Sequence, residues 1–130
     1  MRKIILIAFT FVMISICSAA ASAQVTRIHF APGATSKVVT GTLHSYKSHR
    51  KFVIRVRAGQ TLTTEDVGKH PITLAIKGPP GSNYEQDMAA DCHSHNEITP
   101  TAAGDYKITV TECQKADPWR GTFKMRIKVN

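Results

Sequence analysis

Residues 91–96 read Asp-Cys-His-Ser-His-Asn and gather more chemistry than any other stretch of this chain. On an extended backbone an H-x-H step turns both rings to one side, an arrangement that copper or zinc can use. Cys92 would add a thiolate in a reducing compartment and half of a disulfide in an oxidising one. The choice between these chemistries therefore rests on where the chain is delivered.

The first residues answer that. Arg2 and Lys3 precede an apolar run from Ile4 to Cys17, and Ala21-Ser22-Ala23 forms a small-x-small cleavage site. This is the pattern of a secretory signal peptide over 1–23, with an exported, periplasmic domain over 24–130. No later stretch is apolar enough to span a bilayer. Cleavage would remove Arg2, Lys3 and Cys17. The exported chain would then carry fifteen basic residues against nine acidic ones, a net charge of +6, and two cysteines, Cys92 and Cys113. An even pair in an oxidising compartment is expected to form a disulfide, closing a loop of about 20 residues and contributing about 3 kcal/mol. That leaves His93, His95 and Asp91 as ligand candidates. There is no third histidine at local spacing, no C-x-x-C and no H-E-x-x-H, so no metal and no cofactor are expected. Catalysis is not expected either: G-x-S-x-G, phosphate-loop and dinucleotide motifs are absent, and the nine carboxylates are scattered.

The elements that must position the remaining candidates are strands. Apolar residues recur at every second position in KFVIRVR (51–57), DYKITVTE (105–112) and TFKMRIKVN (122–130). VTRIHF (25–30), KVVTGTL (37–43) and PITLAIK (71–77) are weaker candidates. Such alternation marks half-buried antiparallel strands. Gly- and Pro-containing breaks at 31–33, 58–60, 78–81 and 103–105 separate them. Seven or eight short strands over about 107 residues predict one all-β domain, an antiparallel β-sandwich or jelly-roll-like fold.

Two loops offer binding residues. LHSYKSHRK (43–51) brings together Tyr46, Lys47, His49, Arg50 and Lys51. ECQKADPWRG (112–121) starts at Cys113, is stiffened by Pro118 and carries Trp119, the only tryptophan, beside Arg120. Tyr, Trp and Arg are enriched in binding hot spots, and a pinned loop loses less entropy on association. Against this, Tyr46 could instead bond to backbone at a corner, and the Trp119 ring could cover the open end of the sandwich. Lys124, Arg126 and Lys128 form a basic row along the last strand. On an outer or edge strand such a row deters sheet-to-sheet association, and it could alternatively bind anions. Nucleic acid is not an expected partner for an exported chain.

Several segments together resemble bacterial pre-peptidase C-terminal β-sandwiches: Gly41-Thr42-Leu43, FVIRVRAGQTL (52–62), LAIKGPPG (74–81) and TAAGDYKITV (101–110). Because the sandwich fills nearly the whole chain, the resemblance narrows to the periplasmic inhibitors of g-type (goose-type) lysozyme. The IHFAPG segment (28–33) and the spacing from Gly41 to Tyr46 are similar to that family. The resemblance implies a proteinaceous inhibitor, not an enzyme, whose loops occlude a lysozyme cleft. Tyr46, Lys47, Arg50, Trp119 and Arg120 would be the contact residues, Tyr46 matching the family's early tyrosine and Arg120 only approximating its late arginine. The Cys92–Cys113 pair is not a family-wide expectation. Lysozyme is the implied partner, and the chain is expected to be a monomer or weak homo-oligomer. The alternative is a carbohydrate- or envelope-binding module that uses the basic row and Trp119.

Overall fold

A computed structural model describes residues 24–88 and 92–130. The expected signal peptide and Asp91 lie outside the described residues. Among the described residues eight strands follow one another: β1 (Val25–Arg27), β2 (Ser36–Leu43), β3 (Arg50–Val56), β4 (Leu62–Asp66), β5 (Ile72–Lys77), β6 (His95–Ile98), β7 (Gly104–Glu112) and β8 (Gly121–Val129). They form two four-stranded sheets, in the orders β1-β3-β7-β5 and β2-β8-β4-β6. The all-β sandwich read from the alternation is the fold. One departure is β1, which joins β3 in parallel while every other pairing is antiparallel.

The alternating residues supply the core. Phe52, Ile54 and Val56 of β3 and Tyr106, Ile108 and Val110 of β7 face Phe123, Met125 and Ile127 of β8, all nearly or completely buried. Phe52 meets Phe123 edge-on at 6.3 Å between ring centroids, a favoured aromatic geometry that joins the two sheets. Gly41 of β2 pairs with Phe123 of β8. A Cβ at Gly41 would lie 2.6 Å from the Phe123 ring, so this glycine is where a core ring sits against bare backbone. Tyr106 is the corner tyrosine of the fold. Its hydroxyl accepts a bond from the amide of Ala102, four residues upstream, at 3.1 Å.

β4 and β6 are absent from the sequence reading because two of their inward positions are polar. Thr64 and Asn96 are buried, which is tolerable only with partners. The Asn96 amide donates to Thr64 Oγ1 (3.2 Å) and to the carbonyl of His93 (2.7 Å). Its oxygen accepts from Gln86 Nε2 (3.0 Å) and from the Tyr84 hydroxyl (3.3 Å). Gln86 also bonds the main chain of Leu74 and Ile76, so the segment after β5 covers that strand's open edge.

The basic row on β8 is placed differently from the edge position considered above. β8 is central, flanked by β2 and β4. Arg126 donates to Glu65 of β4 at 2.7 Å, and Lys128 lies in register with Thr63, itself opposite Glu97 of β6. The row is interleaved with carboxylates and is not a continuous cationic face.

Two outcomes follow. Gly41→Ala should lower unfolding stability by about 1–3 kcal/mol, as overpacking does, measured by chemical denaturation. The second concerns β1, which is held by a two-bond ion pair, Arg27 to Asp105, at 2.9 and 3.0 Å. The Arg27 guanidinium, with help from its charge and those of Arg55 and Lys107, holds the Asp105 carboxyl below its usual range. Stability from a depressed carboxylate is present above the unfolded-state value and is lost as pH falls through the folded-state value. Acidification below about pH 4 should therefore speed hydrogen exchange at Ile28, whose amide bonds Val53, before the β3 and β7 amides respond. Arg27→Ala should produce the same selective exchange at neutral pH.

Candidate functional site

β7 and β8 are consecutive in sequence but belong to opposite sheets, so residues 113–120 must cross one end of the sandwich. The β2–β3 loop (44–49) and the β4–β5 loop (67–71) emerge at the same end, since Leu43 pairs with Gly121 and Ile72 with Glu112. The two loops singled out by residue type are thus neighbours in space.

They are also bonded to each other. The Tyr46 hydroxyl donates to the carbonyl of Ala116 at 2.7 Å, across a separation of 70 residues. Partial burial, reinforced by the charges of Glu112 and Asp117, raises the phenol pKa, which keeps Tyr46 a neutral donor. Within its own loop, Ser45 turns the chain by accepting from the amides of Lys47 (3.3 Å, side chain) and Ser48 (2.9 Å, main chain).

Trp119 is fixed at three points. Its amide donates to Glu112 Oε1 at 2.7 Å and its indole nitrogen to the carbonyl of Pro71 at 3.0 Å. Its ring stacks on His70, with 4.7 Å between centroids and planes 15° apart, and it packs against the core. Covering the open end of the sandwich is therefore part of what Trp119 does. Glu112 is 1% exposed, and its second oxygen has no partner among the described residues. The Pro71 carbonyl also accepts from the Cys113 amide at 3.1 Å. Cys113 is disulfide-bonded to Cys92, as the even pair implied, with Cα atoms 5.4 Å apart. The crossing is consequently tied to the β4–β5 loop, to the β2–β3 loop and to the segment before β6.

On this clamped base, Lys47 and Arg120 are exposed, and their side chains make no hydrogen bond or ion pair among the described residues. Arg50 and Lys51 belong to β3 and not to the loop tip. Lys51 faces outward from the first sheet, and Arg50 shares the parity of Phe52 at the end of the core. His70, Pro71 and Glu112, which hold Trp119, carried no signal that would have selected them.

The histidines of 91–96 do not share an extended segment. His93 has a positive φ of 50° and its Nε2 lies 2.6 Å from the Asp87 carbonyl, whereas His95 begins β6 and lies 3.8 Å from Glu65. The same-side geometry assumed for H-x-H is broken at its first residue. Among the described residues no group of three or more His, Cys, Asp or Glu side chains is arranged to hold a metal.

Comparison with known proteins places the fold. The structure of Aeromonas hydrophila PliG, a periplasmic inhibitor of g-type lysozyme, is similar over 82% of this chain and 96% of that one, with a TM-score of 0.62 and 19% identity. Salmonella Typhimurium PliG matches over 84% of this chain and all of its own, with a TM-score of 0.59 and 14% identity. An Escherichia coli PliG mutant matches to the same extent, with a TM-score of 0.58. No family model and no curated protein matches the sequence.

Tyr46→Phe should leave the fold intact while removing the bond to Ala116, at a cost of about 1 kcal/mol. The accompanying change should be faster hydrogen exchange confined to residues 44–49 and 113–120.

Proposed function

We propose that this chain is an exported inhibitor of lysozyme, directed at the goose type, that inserts the β2–β3 and β7–β8 loops into the enzyme cleft. One observation carries the reading: two loops rich in hot-spot residue types project from one end of a PliG-like sandwich and are locked together by the Tyr46–Ala116 bond. A lysozyme cleft contains a catalytic carboxylic acid with a raised pKa between polar sugar subsites. Lys47 and Arg120 supply charge-assisted donors to such groups. Tyr46, Trp119 and Arg50 would complete the contact from the same end of the sandwich. The clamps reduce the ordering cost of binding. No catalytic step of the chain's own is involved. Delivery to the periplasm follows removal of residues 1–23, and the disulfide suits an oxidising compartment.

A glycan-binding module would need Trp119 as an open stacking platform, and His70 occupies one face of that ring. The inhibitor reading is therefore preferred.

The test is titration of the oxidised protein, residues 24–130, against goose-type, chicken-type and invertebrate-type lysozymes in cell-wall lysis. Stoichiometric, selective loss of goose-type activity is expected. Lys47→Glu and Arg120→Glu should each weaken inhibition by about ten- to a hundredfold, the worth of one hydrogen bond to a charged group, with unchanged melting temperature. Absence of inhibition in all three assays would overturn the proposal, and full potency in both variants would overturn the assignment of the loops.

A further inference from the structure

The outer face of the β1-β3-β7-β5 sheet carries a different kind of surface. Lys51 and Arg55 of β3, Lys77 of β5, Lys107 of β7 and Arg27 of β1 all project from it, and all are exposed. Asp105, bonded to Arg27, is the one carboxylate on these strands' outward positions. Five cations thus stand against one anion. On the opposite outer face Lys124, Arg126 and Lys128 stand against Glu65 and Glu97. The positive charge of the strands is concentrated on one side of the sandwich.

A second property accompanies the charge. A groove of about 620 Å³ crosses this face, with Val53 and Ala75 in its floor and Lys51, Lys77 and Lys107 around it. Val25 and Met88 also line it, and they are 52% and 46% exposed. They are two of the three large apolar side chains left exposed among the described residues. Glu85 and Asp87, in the segment covering the β5 edge, do not line the groove. Cations alone would suit any polyanion. Cations combined with exposed apolar side chains suit a surface that is anionic outside and hydrocarbon within.

We propose that this sheet face docks peripherally on an anionic phospholipid bilayer, with the five cations over the headgroups and Val25 and Met88 reaching past them. The site is separate from the loop end and does not depend on the inhibitor reading. The eight strands of the described residues and their core lie within residues 25–129, and residues 24–130, the expected exported chain, serve as the test protein.

The experiment is co-sedimentation with phosphatidylcholine vesicles with and without phosphatidylglycerol, at about 0.1 M salt, where the Debye length is about 10 Å. Binding should require phosphatidylglycerol. The double variant Lys51→Glu/Lys107→Glu should lose at least about twentyfold in partitioning, given about fivefold for each lysine removed from such a surface. Val25→Ser/Met88→Ser should weaken binding without altering charge, whereas Lys124→Glu/Lys128→Glu on the opposite face should retain most of it. Circular dichroism establishes that each variant is folded. Equal loss from charge reversal on either face would overturn the proposal by reducing it to net charge. So would absence of binding to both vesicle types, or capture by soluble polyphosphate as tight as by vesicles and indifferent to Val25 and Met88.

Discussion

The constraint on which this structure depends is that its two longest strands, β7 and β8, are consecutive in sequence yet central in opposite sheets. Their inward rows, Tyr106 to Val110 and Phe123 to Ile127, form the middle of the core. The chain between them must therefore pass over an end of the sandwich where apolar side chains would otherwise meet water. Trp119 covers part of that end, and Glu112 bonds its backbone at the cost of a buried carboxylate with one oxygen unpaired. The disulfide, the Pro71 carbonyl and Tyr46 then fix the crossing from three directions. The shape of the loop end is a consequence of how the core is closed.

How legible each element was follows from the same physics. β3, β5, β7 and β8 bury an apolar side chain at every second position, so period two is visible in their letters. β4 and β6 bury Thr64 and Asn96 instead, and their burial depends on Tyr84 and Gln86, which belong to no strand. A polar network assembled from three separate segments leaves no periodic trace. The corner tyrosine shows a related limit. Tyr46 and Tyr106 both sit near strand ends, but only the fold reveals that Tyr106 reaches back four residues while Tyr46 reaches across seventy.

Of the candidate site, residue types pointed to two loops, but not to their proximity: their contact depends on β2 pairing with β8, which no single stretch encodes. Spacing and compartment set the H-x-H step aside, and the same-side geometry considered for it does not form because His93 turns out of the extended conformation. The basic row of β8 is solvent-facing, as its alternation implied, but the carboxylates beside it, Glu65 and Glu97, could not be foreseen because they come from the unrecognised strands β4 and β6.

Charge placement bears on a tension that net charge alone creates. A strongly basic chain is a poor candidate to be steered by its overall field toward any partner that is itself basic. Much of the excess, however, lies on the outer face of the β1-β3-β7-β5 sheet, where the cations are spread over four strands. The loop end carries Lys47, Lys69, Lys115 and Arg120 against Asp117 and the buried Glu112, a smaller excess than that of the sheet face. At physiological ionic strength charges farther apart than about 8 Å are largely screened, so binding at the end would be governed by its local donors and by the rigidity of the clamped loops. The face can then carry its charge toward an anionic surface without setting the affinity of the loops.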